Sequence, residues 1–216
     1  PLVSSLVFGP DGTLYAGGIF TTAGGVSANN IAKWNGTAWS ALGSGITSIA
    51  STKMILGVDG ALYVGGDFSS AGGVANTTYI AKWNPITNTW SALGSGINSA
   101  TRGLAIGPDG ALYVGGDFTS AGGVTVNNIA KWNGSAWSAL GVGVNSYVYT
   151  LGTGPDGTLY AGGSFTTAGG AAMPEHNSVW NGGYWMPLDV KTQDAAANFY
   201  VMVFDCYGRL YIGGLW

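Results

Sequence analysis

The sequence predicts an all-β repeat protein, a β-propeller of four-stranded antiparallel blades, and three observations predict it. A segment, Leu14-Tyr15-Ala16-Gly17-Gly18, returns at Leu62, Leu112, Leu159 and Leu210; its tyrosines stand at 15, 63, 113, 160 and 211, intervals of 48, 50, 47 and 51 residues. Between these copies lies a second motif, Ala32-Lys33-Trp34-Asn35 followed by Trp39-Ser40-Ala41-Leu42-Gly43. It returns around Trp83 and Trp90, around Trp132 and Trp137, and more loosely around Trp180 and Trp185. Charged residues make up only 8% of the 216, with 39 Gly and 9 Trp, whereas an ordinary soluble protein is about a quarter charged. No apolar run approaches the ~18 residues that span a bilayer as a helix. Strands buried on both faces reconcile such a composition with solubility.

Each element of the unit follows from its residues, most plainly in the third copy. Leu104-Ala105-Ile106 is an apolar run closed by Gly107-Pro108-Asp109-Gly110. Asp-Gly between apolar runs predicts a hairpin, here a two-residue type I′ turn with positive φ at both central residues. The second strand, Ala111 to Gly116, carries the β-formers Tyr and Val. A polar, glycine-rich loop, Asp117 to Asn128, leads to strand three, Ile129 to Trp132. The turn Asn133-Gly134-Ser135-Ala136 then leads to strand four, Trp137 to Leu140, and places Trp132 opposite Trp137. Helix is nearly excluded, because Gly and β-branched residues interrupt every window. The one stretch with helical propensity is Thr192 to Asn198.

Units of four antiparallel strands and about 40–50 residues are propeller blades. The expected organisation is one repeat domain over residues 1–216, with blades at about 1–47, 48–98, 99–145 and 146–190 and a partial fifth at 191–216. That arrangement is five-bladed-like or an arc of a larger ring. A parallel β-helix is the competitor, but its coils need no pair of hairpin turns per unit.

A glycine pair followed by a distant aromatic pair resembles the kelch repeat. The closest segment is Tyr79 to Trp90, where Trp83-Asn84-Pro85-Ile86-Thr87-Asn88-Thr89-Trp90 looks like that family's aromatic, Asp-Pro-x-Thr-Asn-x-Trp turn, with Trp83 and Asn84 in place of the usual Tyr-Asp. The whole unit is also similar to tandem repeats of large secreted bacterial surface proteins. The resemblance implies an extracellular or cell-surface location and a role in adhesion, interaction or structure. Kelch-like propellers also host some enzymes.

The net charge of −3 comes from scattered groups with no basic stripe, which argues against nucleic acid; no amphipathic or polybasic segment points to membrane insertion. The single Cys206 excludes a disulfide framework and a cysteine-based zinc cluster. One histidine, His176, with Glu175 and Asp189 near it in sequence, forms no recognisable triad or metal set. No cofactor or metal is therefore expected, and no catalytic residue; the expectation is a protein that is not an enzyme. Asp11, Asp59, Asp109 and Asp156 recur in hairpin turns, which by itself explains an Asp. Spread one per blade, they are expected to lie too far apart for paired acid–base work.

Tight turns at one end of each blade put the long loops at the other, where function concentrates. The candidate ligand-binding residues on that face are Asp67, Asp117, Asn29, Asn30, Asn127 and Asn128. Lys33, Lys82 and Lys131 are read, like Asp67 and Asp117, as solvated edge positions, and Phe20, Phe68, Phe118 and Phe165 as plugs under their own loops. The aromatic set Trp34, Trp39, Trp83, Trp90, Trp132, Trp137, Trp180 and Trp185 suits inter-blade packing or, alternatively, a lectin with one weak sugar site per blade and affinity from multivalency. The partners that fit are a glycan, a protein, or another copy completing the partial blade, the last giving a filament or ring subunit.

Overall fold

The structure, a computed structural model, describes residues 1–47, 49–173, 175–188 and 198–215. Asp189 and all but the last residue of the Thr192 to Asn198 stretch lie outside the described residues, and Asn198 begins a strand. Every described element is a strand, and the fold is an all-β propeller of four-stranded antiparallel blades.

The chain divides into two compact units, Pro1–Thr101 and Arg102–Trp216. The first holds two four-stranded sheets. One has strands β1 (Leu2–Phe8), β2 (Leu14–Ile19), β3 (Ile31–Trp34) and β4 (Trp39–Ala41), hydrogen-bonded in that order. The other has β5 (Ser51–Leu56), β6 (Leu62–Asp67), β7 (Ile80–Asn84) and β8 (Thr89–Ser91), again in sequence order. The division of the chain falls inside β9 (Thr101–Ile106), which forms a third sheet with β10 (Leu112–Gly116), β11 (Ile129–Trp132) and β12 (Trp137–Ala139). In the second unit β13 (Val148–Thr153), β14 (Leu159–Gly163), β15 (Asn177–Trp180) and β16 (Trp185–Met186) form the fourth sheet. The hairpin β17 (Asn198–Phe204) and β18 (Leu210–Leu215) makes a two-stranded fifth.

The first turn of each blade differs from the sequence expectation. In Gly9-Pro10-Asp11-Gly12-Thr13, the Gly12 N–H bonds to the Gly9 carbonyl and the Gly9 N–H to the Thr13 carbonyl, and only Gly12 has a positive φ, 82°. This is a three-residue loop, a type I turn followed by a left-handed glycine. Pro10, Pro108 and Pro155 fix a negative φ at the first loop position, which a type I′ turn forbids; in the second blade Val58 stands there, and the same two bonds join Gly57, Gly60 and Ala61. Each turn aspartate braces the loop: one oxygen of Asp11, Asp59, Asp109 and Asp156 accepts the backbone N–H two residues on, at 3.0–3.2 Å.

The glycine pairs are a packing requirement. A Cβ on Gly18 or Gly163 would collide with the carbonyl of Leu2 or Tyr147 on its own first strand. The preceding glycine faces the next sheet. At Gly17 a Cβ would lie 3.0 Å from Thr52 Oγ1 and 3.2 Å from Met54 Sδ, and at Gly162 it would lie 2.8 Å from Phe199 and Met202. Sheets approach this closely only where one backbone offers no side chain.

The tryptophans of each second hairpin meet as predicted. Trp34 pairs with Trp39, Trp83 with Trp90, Trp132 with Trp137 and Trp180 with Trp185, in register, with ring centroids 5.2–5.6 Å apart and tilted. The second ring of a pair also reaches the preceding sheet: Trp90 Nε1 donates to the Leu42 carbonyl at 2.9 Å and Trp185 Nε1 to the Leu140 carbonyl at 3.1 Å, both buried. Apolar cores lie between the paired sheets, one around Leu42, Ile46, Leu62 and Trp83, the other around Leu140, Val148, Leu159 and Phe165.

Candidate functional site

On the long-loop side, the candidate amides are committed to the backbone. Asn30 sits at φ 64° and Asn128 at φ 70°, a left-handed conformation that Asn adopts more readily than most residues. The Asn30 amide donates to the Ile46 carbonyl while its oxygen accepts the Phe20 N–H; the Asn128 amide donates to the Gly116 carbonyl. Asn29 and Asn127 donate to the Ser44 and Val142 carbonyls. His176 holds the same slot as Asn30 and Asn128, with φ 55° and its carbonyl on the Gly163 N–H. These loops are tied down by their own polar groups, and Phe20, Phe68, Phe118 and Phe165 are buried. Asp117, read as solvated, instead takes a bidentate contact from Arg102 Nε and Nη2. Asp67 is exposed.

The lysines also need correction. Lys82 and Lys131 are half-buried and pair with the turn aspartates Asp59 and Asp109, each at 2.6 Å. The residue two places after the aspartate decides the partner. Where it is Thr13 or Thr158, the second carboxylate oxygen takes that hydroxyl, at 2.9 and 2.8 Å. Where it is Ala61 or Ala111 there is no hydroxyl, and the ammonium takes its place. Lys33, facing the first kind of turn, donates to Asn88 Oδ1 instead, and in the fourth sheet Val179 replaces the lysine.

The geometry therefore moves attention to the tight-turn end of the second unit. A cleft of about 370 Å³ opens between the third and fourth sheets, lined among others by Asp109, Tyr113, Lys131, Asp156, Trp180 and Asn181. The turns of two blades thus bring two of the supposedly dispersed aspartates to one cavity. Sequence reasoning missed it because each turn was explained in isolation; the signal was Ala in place of Thr after Asp59 and Asp109, each with a lysine on the third strand of the same sheet.

Its electrostatics are set by the turns. The Lys131 ammonium, by hydrogen bond and charge, holds the Asp109 carboxyl below its ordinary range, and Asp109 in turn raises Lys131. Lys131 also stands 5.5 Å from the Tyr113 ring centroid. The Thr158 backbone N–H, and after it the hydroxyl, lower Asp156. Both carboxylates are stabilised as anions, so neither suits the role of general acid near neutral pH. What the cleft offers is a set of fixed hydrogen-bonding groups beside a partly exposed indole. Among the described residues no group of three or more His, Cys, Asp or Glu is placed to hold a metal ion.

Burial sorts the aromatic candidates. Trp83, Trp90, Trp132, Trp137 and Trp185 are buried, so their faces are closed to a pyranose; Trp34, Trp39 and Trp180 are partly exposed. One equivalent sugar site per blade does not fit this distribution. In the first unit Trp39 lines a cavity of about 190 Å³ with Val3, Ala16 and Phe20. Among the described residues its indole N–H has no carbonyl of the kind that Trp90 and Trp185 reach.

The family model described as "Domain of unknown function (DUF5122) beta-propeller" matches residues 9–35 and 107–134, in each case from the tight hairpin through the third strand. No curated protein sequence matches the chain. Among solved structures, the extracellular domain of a B. thetaiotaomicron protein named as a one component system is 14% identical with a TM-score of 0.62, over 99% of this chain and 25% of that one. A protein named as a gluconolactonase is 16% identical with a TM-score of 0.61, over 98% of this chain and 71% of that one. Virginiamycin B lyase from Staphylococcus aureus is 13% identical with a TM-score of 0.60, over 97% and 62%. The chain spans a quarter of the first of these. At such identities the likeness is one of fold, and it overturns one expectation. A protein without catalytic activity was inferred from the repeat and the missing catalytic constellation, but proteins named as enzymes share this architecture over nearly the whole chain, so the fold gives no ground for that inference.

Proposed function

We propose that the protein is an extracellular bacterial interaction module that binds a saccharide in the cleft of its second unit. The observation that carries this reading is the cleft's make-up: the Trp180 ring, partly exposed, beside Asp109, Lys131, Asp156 and Asn181. An indole face suits the apolar side of a pyranose, and fixed carboxylate, ammonium and amide groups suit its hydroxyls. Several of these groups are already oriented. Lys131 is held by Asp109, Asp156 by Thr158, and Asn181 Oδ1 by the backbone N–H groups of Gly183 and Tyr184. A ligand that displaces only water loses little in ordering them. The extracellular placement draws on the resemblance to secreted surface repeats and on the B. thetaiotaomicron neighbour, itself an extracellular domain. Among the described residues no helix is long and apolar enough to cross a membrane.

A glycan array followed by titration calorimetry tests the proposal. Trp180→Ala is expected to weaken binding at least about tenfold, equivalent to ~1.4 kcal/mol, while Trp180→Phe retains most of it. Absence of binding to every saccharide class up to about 10 mM would sink the reading.

A further inference from the structure

The cleft of the second unit holds an unbalanced charge, and one substitution within the repeat is its source. In the first three sheets a lysine stands opposite the second-strand tyrosine: Lys33 faces Tyr15, Lys82 faces Tyr63 and Lys131 faces Tyr113. In the fourth sheet Val179 takes that place opposite Tyr160. Asp59 and Asp109 are each neutralised by the ammonium of their own sheet, at 2.6 Å. Asp156 is not. It accepts the Thr158 backbone N–H and hydroxyl at 3.0 and 2.8 Å, neutral donors that favour the ionised carboxylate without cancelling its charge. Of the groups lining the cleft only Asp109, Lys131 and Asp156 are charged near neutral pH. The first two form an ion pair, which leaves one carboxylate uncompensated in a cleft that Trp180 also lines.

The equivalent position in the first unit is closed. There Lys33 Nζ reaches Asn88 Oδ1 at 3.2 Å, and Trp83, the counterpart of Trp180, is buried. No residue takes the place of Asn88 in the second unit: the turn after Trp180, Asn181 to Tyr184, has four residues where Asn84 to Thr89 has six. Lys131, the counterpart of Lys33, turns to Asp109 instead.

From the uncompensated Asp156 we infer that the ligand of this cleft is a cationic saccharide, one carrying a protonated primary amine, as a hexosamine with an unacetylated nitrogen does. The inference rests on the saccharide reading and adds the charge class of the ligand. The sugar's ammonium supplies the partner that Val179 takes away from the sheet, through a charge-assisted hydrogen bond. The partly exposed Trp180 ring attracts a cation as well as a pyranose face. A carboxylated sugar meets like charge there, and an N-acetylated one gains no ion pair.

NMR shift titrations with oligomers of glucosamine and of galactosamine, each as the free amine and fully N-acetylated, test it. At about pH 6 the amine is protonated and Asp156 ionised. The free-amine form is expected to bind about fivefold tighter at about 0.01 M salt, with the preference fading at about 1 M. The double variant Thr158→Ala with Val179→Lys gives the fourth sheet the pair that the third already holds in Ala111 and Lys131. Its circular dichroism is expected to match the wild type, and its preference for the amine to vanish even at low salt. Equal affinity for the two forms, tighter binding of the N-acetylated form, or a preference that survives the double variant or about 1 M salt overturns the inference and leaves the saccharide reading standing. So does a failure of both forms to bind where the glycan array finds another sugar. If no saccharide binds at all, the saccharide reading falls and takes this inference with it.

Discussion

The first strands of the first and fourth sheets hold closely similar side chains in opposite surroundings. Val148 and Leu151 of β13 are buried, while Val3 and Leu6 of β1 are more than half exposed. The repeat writes the same apolar pattern into both strands, so the difference lies in what stands in front of them. In a stacked-sheet protein the sequence of a strand states what the strand is able to bury, and the neighbour decides whether it does.

Mutation sharpens this contrast most at the inserted leucine. Leu151→Ala leaves a cavity in a closed joint and should cost about 2–4 kcal/mol, whereas Leu6→Ala should change the stability of the dilute chain by less than about 0.5 kcal/mol. Urea melts of the two variants check this, and equal losses would break the comparison. A smaller effect is expected at the indole bonds. Trp185→Phe removes one of two donors from the buried Leu140 carbonyl, which keeps the Gly143 N–H, and should cost about 0.5–1.5 kcal/mol, while Trp39→Phe, with no such carbonyl, should be nearly silent under the same melts.

The smallest effect is electrostatic. The lowered Asp109 adds stability that is complete above the ordinary carboxylate value of ~3.9 and fades as pH falls through its native value. The raised Lys131 adds stability that is lost only as pH rises through its own, above ~10.4. For a pair this exposed the sum should stay below about 1 kcal/mol. Melts at pH 3 to 7 should show a shallower acid loss in Lys131→Met than in the wild type; parallel curves would place the acid sensitivity elsewhere.

The fold was legible because its signals are local. Tyr-x-Gly-Gly and the paired tryptophans mark strands whose partners lie within one unit, and the registers Trp132 to Trp137 and Leu112 to Trp132 follow from counting. The turn type was legible too, in Pro10, Pro108 and Pro155, but the Asp-Gly dipeptide drew the reading away from them. The candidate site was much less so. Lys131 and Asp109 are 22 residues apart in the sequence and meet because the third strand passes the tight turn of its own sheet, and the cleft needs a second sheet beside it. The loop asparagines looked like ligands for the same reason that they bond the backbone: an amide able to bond a sugar bonds a nearby carbonyl equally well. The fifth sheet disguised its turn, because Asp205 stands two places before the usual aspartate yet accepts the same backbone donor, here Arg209 N–H.

The indole-to-carbonyl bonds join groups 48 and 45 residues apart, each stapling a strand to the loop that closes the sheet before it. A hydrogen bond near 3 Å tolerates a displacement of only some tenths of an ångström before it is lost, and the glycine seats leave no room for one sheet to slide over another. Under load, then, the stack should resist shear and give way by peeling, one sheet at a time from an exposed face, with each tryptophan's fluorescence shifting as its staple opens.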